Sequence, residues 1–213
     1  STAYIGMLLS MMPIVLGFFT AVLSGPSIGR EFKDRTAYMS MPLPISRVSF
    51  YLGKYLAGFV LSLGIFMFAY GMAVATAMSH YDYIFADLIG ESMLVMTVSL
   101  FAYSATAFCI GAFTRKPSTL TPFVLMTFVL PAVLMIIHLR YDVEALMLLP
   151  CFLPDVTVSI LGSPIIGSVS GFFSMAGVSL VDVGELWTMV GIAVVWGIVF
   201  LLIGMVRTMR REM

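Results

Sequence analysis

His80 and His138 are the chain's two histidines, and both lie at the ends of long apolar runs. An imidazole at such a boundary is ordinarily solvated. Neither stands in the HExxH spacing that puts two zinc ligands and a general base on one helix face. A serine nucleophile working inside a membrane needs a histidine beside it. Ser168 and Ser170 have glycine neighbours, but neither forms GxSxG or GxSG, and no histidine lies mid-run. Tyr81-Asp82 and Tyr141-Asp142 supply two Tyr-Asp pairs. The glycine-rich partner that intramembrane aspartyl chemistry requires is missing, and both carboxyls sit at run edges. Cys109 lies within a run and Cys151 in the segment after the fourth, so they are not placed to pair. Two thiols also fall short of a tetrahedral zinc site. The eighteen methionines, among them Met11-Met12 and Met39 with Met41, raise the question of copper. Methionine is equally a flexible apolar filler, and no metal site is assigned. There is no glycine-rich phosphate loop, so this chain alone is expected neither to bind nor to hydrolyse ATP. Charges buried mid-span mark ion and proton routes, and the middles of these runs hold none. Asp87 and Glu91 lie four apart near a boundary. No catalytic residue is assigned, and no cofactor in this chain. Any chemistry is imported.

The elements that would position such groups are five apolar runs, at about 4–24, 55–78, 92–114, 119–139 and 188–206. A soluble domain is about 45–50% apolar and about 25% charged; here the values are 61% and 10%, with a mean hydropathy of +1.07. A bilayer core about 30 Å thick needs about 20 residues of helix, and backbone groups in hydrocarbon must be paired within their segment. The ten-residue alternating segments of a transmembrane barrel are absent. The fold class is therefore an all-α polytopic membrane protein. The chain reads as one membrane domain over 1–213, without repeat, low-complexity tract or soluble domain.

Between the runs the charges are sorted by sign. Arg30, Lys33, Arg35, Arg47, Lys54, Arg115, Lys116, Arg207, Arg210 and Arg211 fall on one side, ten of the eleven basic residues. Only Glu31, Asp34 and Glu212 of the eleven acids share that side, so the formal balance is about +7 against −7 in a chain of zero net charge. Basic loops stay cytoplasmic, which places the C-terminus in the cytoplasm and Ser1 outside. The opening STAYIG has neither a basic n-region nor a cleavage pattern. The expectation is an earlier span upstream, with a five-span protein as the alternative.

Pro13, Pro122 and Pro131 lie inside runs and should kink or begin helices. Gly58, Ser62, Gly64, Gly71 and Ala75 are small residues of the second run, a membrane packing device. Two connections are more than turns. In 25–54, a helix from Ile28 would align Ile28, Phe32, Thr36 and Met39, with Arg30, Lys33 and Asp34 opposite and Arg35 near the stripe. That is the pattern of a helix lying at a membrane surface, and anchorage to lipid fits it as well as any further role. Met41-Pro42-Leu43-Pro44 ends it. Ser46 can cap a new helix running through Gly53-Lys54 into the second span. In 140–187, apolar stretches are broken by Pro150, Pro154 and Pro164 and by Gly162, Gly167, Gly171, Gly177 and Gly184. Short helices dipping into the outer leaflet fit this best; two additional spans turning near 162–171 are the alternative.

The stretch GREFKDRTAYMSMPLPISRVSFYLGKYLAG, residues 29–58, resembles the cytoplasmic connection of ABC type-2 permeases, the membrane subunits of export-type ABC transporters. The family pattern runs from a span into charged residues with a glutamate and a threonine. A proline-containing P-[IV]-[ST]-R and a Gly-Lys entering the next span follow. Glu31, Arg35, Thr36, Pro44, Ile45, Ser46, Arg47, Gly53 and Lys54 occupy those positions. Ala37 stands where leucine is frequent, and Arg35 where glycine usually precedes the threonine. The likeness extends over nearly the whole chain, and the family's six spans with cytoplasmic termini agree with a missing upstream span.

The resemblance implies a permease coupled to separate cytoplasmic ATPase subunits carrying ATP and Mg, and paired with a second copy or a related chain. It makes the 29–41 helix a coupling element, with Arg30, Glu31, Lys33, Arg35 and Thr36 docking on the ATPase. Pro42 and Pro44 become a hinge, and Ser46, Arg47, Gly53 and Lys54 the helix start that carries the displacement. The 140–187 segment becomes an outer gate. The implied place is the cell membrane, with the lipid bilayer as surroundings and no nucleic-acid partner. The alternative is a non-transporting, ATPase-coupled mechanotransmitter or scaffold acting on an extracellular partner. An intramembrane enzyme is disfavoured by the missing mid-span nucleophile.

Overall fold

The computed structural model describes residues 2–9, 12–26, 46–80, 86–113, 120–141, 146, 148–161 and 186–209. Among them every regular element is helical. In chain order these are α1 (Thr2–Leu9), α2 (Met12–Leu23), α3 (Arg47–His80), α4 (Ala86–Phe113) and α5 (Leu120–Val124). A π-helical turn (Leu125–Val129), α6 (Leu130–Tyr141), α7 (Leu153–Ile160) and α8 (Leu186–Met209) follow. Four helices are long and apolar enough to cross a membrane: Val48–His80, Leu88–Phe113, Leu120–Tyr141 and Leu186–Met209. They coincide with the last four expected spans. The first run is described as two pieces, α1 and α2, neither long enough to cross alone. The protein is a multi-pass membrane protein. Its end bearing Lys54 and Arg207 is called the basic end below, and the opposite one, bearing Glu91, the acidic end.

α3 has 34 residues, about 50 Å of helix at 1.5 Å per residue, against a hydrocarbon core of about 30 Å. Some of it therefore stands outside the hydrocarbon. Pro13 and Pro122 lie near the first described residues of α2 and α5, and Pro131 follows the π-helical turn as the second residue of α6. Just before Pro131 the helix widens, and the Leu130 amide donates to Leu125 O, five residues back. Proline crowds the carbonyl four residues earlier, here that of Thr127, and the π turn moves that carbonyl aside. α2 fits this turn through Gly17, where any Cβ would run into the Thr127 hydroxyl.

α4 is the central post. In its most apolar window 67% of residues are buried, against 22–33% for the other three spans. Many of its buried residues are small or hydroxylated, Ala102, Ala105, Ala107 and Ala112 with Ser92, Ser99, Ser104 and Thr106, beside the larger Val95, Met96, Leu100 and Phe108. Small residues let helices approach where lipid offers no hydrophobic drive. Two of these hydroxyls fold back on their own helix, Ser104 onto Phe101 O at 3.0 Å and Thr106 onto Ala102 O at 2.9 Å. Around this post lie three apolar cores. One joins α1–α4 with Met126 of the π turn. A second, on the acidic side, joins α4 and α8 with Leu134 and Met135 of α6 and residues 151–156. The third, at the basic end, joins Tyr51 and Tyr55 of α3 to Ala105 and Phe108 of α4, with Leu201 and Met205 of α8 packed against them.

The described segment around α7, residues 148–161, is shorter than a span and leans on α4. The Tyr103 hydroxyl donates to Cys151 O at 3.1 Å, and the Ser92 hydroxyl approaches Thr157 O at 3.5 Å. These two contacts lie eleven residues apart on α4, about 16 Å along its axis. The segment thus runs well down the post. Irregular backbone at membrane depth requires such cover, and α4 provides it. Short broken helices are expected in 140–187, and α7 is one short helix there; residues 162–185 lie outside the described residues.

Candidate functional site

The connection from α2 to α3 holds most of the expected docking residues. Arg30, Glu31, Lys33, Arg35, Thr36, Pro42 and Pro44 lie outside the described residues, and the expected surface helix and hinge lie outside them too. Both stems of the connection are described. On the α2 side, the chain leaves the helix through a buried turn at Ser24, Gly25 and Pro26, with the Ser24 amide on Thr20 O at 2.9 Å and the Gly25 amide on Ala21 O at 3.2 Å. Two glycine contacts hold it. A Cβ at Gly58 of α3 would stand 2.9 Å from the Ser24 hydroxyl, and one at Gly111 of α4 would strike the Gly25 carbonyl. The turn is wedged between α3 and α4 where only hydrogen fits.

On the α3 side, Ser46 precedes the helix and its side chain accepts the Ser49 amide at 3.1 Å. An N-cap of this kind satisfies an otherwise orphaned donor and is worth about 1 kcal/mol. Arg47 opens the helix. Gly53 is exposed with open space around it. The Lys54 ammonium lies 5.6 Å from the Phe50 ring centroid, at the outer limit of a cation–π contact.

What binds this stem to the body is aromatic. Tyr51, Tyr55 and Phe59 are spaced four apart, so they share a face, and they meet Phe108 and Phe101 of α4. The Tyr51 and Phe108 centroids are 4.8 Å apart, Tyr55 and Phe108 5.7 Å, and Phe59 and Phe101 6.0 Å. The Tyr55 hydroxyl pairs with that of Ser104 at 3.1 Å. α8 enters through glycines: a Cβ at Gly197 would collide with the Phe101 ring, and one at Gly204 with the Tyr51 hydroxyl. Edge-to-face pairs of this kind add about 0.5–1.5 kcal/mol each beyond burial. The sequence reading passed over Tyr51, Tyr55 and Gly204. The signal was there, an aromatic at every fourth residue directly after a capped helix start.

The arrangement is mechanical. Residues 27–45 connect two stems, each locked into α4, and none of the described groups beside them forms a nucleophile–base pair. Among the described residues no three His, Cys, Asp or Glu side chains converge as a metal site would require. Cys109 and Cys151 are free and buried. Residues 3–213 match the family described as ABC-2 family transporter protein. The chain belongs to that family. No curated protein matches it. As an ABC-2 family member the chain is a membrane component of a transporter, and its long apolar helices are that component's multi-pass body. The locked stems then sit at the base of the connection whose residues carry the resemblance to type-2 permeases.

Proposed function

We propose that this ABC-2 protein is the permease subunit that couples ATP binding and hydrolysis on separate cytoplasmic ATPase subunits to export of a substrate across the cell membrane. The observation that carries the reading is the two-stem anchorage of residues 27–45. A loop that only rested on lipid would need no such fixing. A loop that is pushed must hand its displacement to the helices on either side, and both stems are seated on the buried post α4. In this reading the basic end faces the cytoplasm, and Arg30, Glu31, Lys33, Arg35 and Thr36 meet the ATPase. Pro42 and Pro44 hinge the segment, and the Ser46-capped start of α3, with Arg47, Gly53 and Lys54, carries the stroke. ATP and Mg stay on the partner, and a second copy or a related chain completes the membrane unit. The coupling requires contacts that differ between the two states of the ATPase.

A second reading, an ATPase-coupled mechanotransmitter acting on an extracellular partner, draws on the crevice between α2, α3 and α4. It is lined by Leu16, Phe19, Phe66 and Leu100 among others, with Ser62 its one hydroxyl side chain. That is a poor path for a polar solute.

Purification of the full-length protein in mild detergent tests the main reading, with identification and ATPase assay of what accompanies it. The preparation is repeated with Glu31→Ala and Arg35→Ala. The proposal expects an ABC ATPase that is lost or uncoupled in the variants. A protein without companion or activity, indifferent to both changes, would make the segment a lipid anchor and end the coupling reading.

A further inference from the structure

Tyr51 is 1% exposed, and among the described residues its hydroxyl has no hydrogen-bond partner. A buried hydroxyl without a partner is unfavourable. Phenylalanine would fill the same ring site against Phe108 without that penalty. What the oxygen adds is reach. It extends the ring from α3 past α4 to the backbone of α8, onto the bare face of Gly204. Gly204 itself lies close on α4, since its Cβ would stand 3.2 Å from Cys109 Cα. The three helices therefore meet at one point, where a knob from α3 occupies a notch in α8. This point is five residues from the Ser46 cap, at the start of the helix that leaves the connection. Elsewhere α3 meets α8 little; the large α8 surface rests on α4.

We propose that Tyr51 seated on Gly204 is the positioning contact that makes α8 follow α3 when the 27–45 connection is displaced. The proposal rests on the coupling function above and names the contact through which its stroke reaches the last span. The knob and notch hold one oxygen-sized volume between them. Tyr51→Phe leaves that volume empty. Gly204→Ala fills it twice, because the new methyl lands on the tyrosine oxygen. The two changes together fill it about once, the methyl lying 3.3 Å from the ring carbon and 3.2 Å from Cys109 Cα, so that the ring has only a few tenths of an ångström to give. Each single variant should thus impair the coupling, and the pair should restore it, as expected for residues that act through direct contact.

The test uses the complex purified with its ATPase, spin-labelled at Tyr141→Cys on α6 and Trp187→Cys on α8. Both positions are exposed, at 71% and 65%, while the native thiols Cys109 and Cys151 are buried. The inter-label distance is read with and without ATP and vanadate. The expected result is an ATP-dependent shift in the otherwise native protein. The shift shrinks in Tyr51→Phe, is lost in Gly204→Ala and returns in the double variant, with the ATPase still co-purifying in all four. A shift in the native protein that both single variants keep, or that the double variant fails to restore, overturns the contact alone. A native complex that binds ATP without any shift overturns the contact together with the coupling function beneath it.

Discussion

The two ends of α4 are held in different ways. At the basic end it meets its neighbours mainly through rings and glycines: Tyr51 and Tyr55 of α3 on Phe108, and the Gly25 turn on Gly111. From its middle toward the acidic end, on another face, it meets the α7 segment through apolar packing and two hydroxyls donated to backbone, Tyr103 to Cys151 O and Ser92 to Thr157 O. Close-packed rings and backbone contacts have no slack and pass displacement on as a unit. A hydrogen bond in a membrane interior is worth about 0.6 kcal/mol on average and about 1.7 at most, so these two add a weak polar latch to the apolar packing of residues 151–156 on α4. In the coupling proposed above, the basic end transmits the displacement and the α7 contact is where it is released.

The largest effect is expected where there is no slack at all. In Gly111→Ala the methyl meets the Gly25 carbonyl, a backbone atom that cannot rotate away. Overpacking typically costs about 1–3 kcal/mol, and here it should reach the top of that range. Size-exclusion chromatography after graded heating should show the folded peak lost well below the native protein's. A Gly111→Ala variant as heat-stable as the native protein would remove the rigid-stem argument.

The acidic latch is probed by Tyr103→Phe, which leaves Cys151 O without its donor and should cost about 1 kcal/mol. The readout is local, because Cys151 is 3% exposed. Its maleimide labelling, negligible in the native protein at neutral pH, should rise about five-fold, the factor that 1 kcal/mol implies when opening limits labelling. Unchanged labelling would mean that apolar packing alone holds α7. Ser92→Ala, removing the longer 3.5 Å contact, should have the weaker effect.

Ser46→Ala loses the α3 cap, about 0.5–1 kcal/mol at an exposed helix end, and Ser46→Asp should keep it. Thermal midpoints in detergent separate the two. Smallest is Gly64→Ala, where the Cβ finds open space. The gain in helix propensity is at most about 1 kcal/mol, so the isolated chain should be unchanged or slightly more stable. If the same change weakens a purified dimer, the exposed side of α3 faces a second copy.

The outline of this fold is legible in the chain, and the reasons differ by element. Hydropathy marks the last four spans, yet understates two of them. α3 starts at Arg47 because Ser46 caps it. α4 includes Asp87 and Glu91, charges that end an apolar run but are tolerated in a helix that extends beyond the hydrocarbon. The interior was harder to see. α4 is less hydropathic than α8, 1.9 against 2.7, yet far more buried. In a bilayer apolarity marks the lipid face, and small hydroxylated residues mark the inside. The π turn was not legible, since a proline such as Pro131 can be accommodated by a kink as well as by a wider turn, and the choice shows only with Gly17 of α2 packed against Thr127. Nor was the α7 latch, because Tyr103 is an uncharged mid-span residue whose partner is a backbone atom. Of the site, the capped helix start is visible in the order Pro44-Ile45-Ser46-Arg47. The ring anchor behind it is visible only once α4 is in place.

The central claim is that the basic end, and not the acidic one, receives the force. The most direct measurement places a photo-crosslinking residue at Arg35 in the connection, and for comparison at Gly90, exposed near the acidic start of α4, in membranes containing the whole complex. The account predicts a crosslink to an ABC ATPase from position 35 and none from position 90. An ATPase captured from position 90, or only lipid captured from position 35, would contradict it.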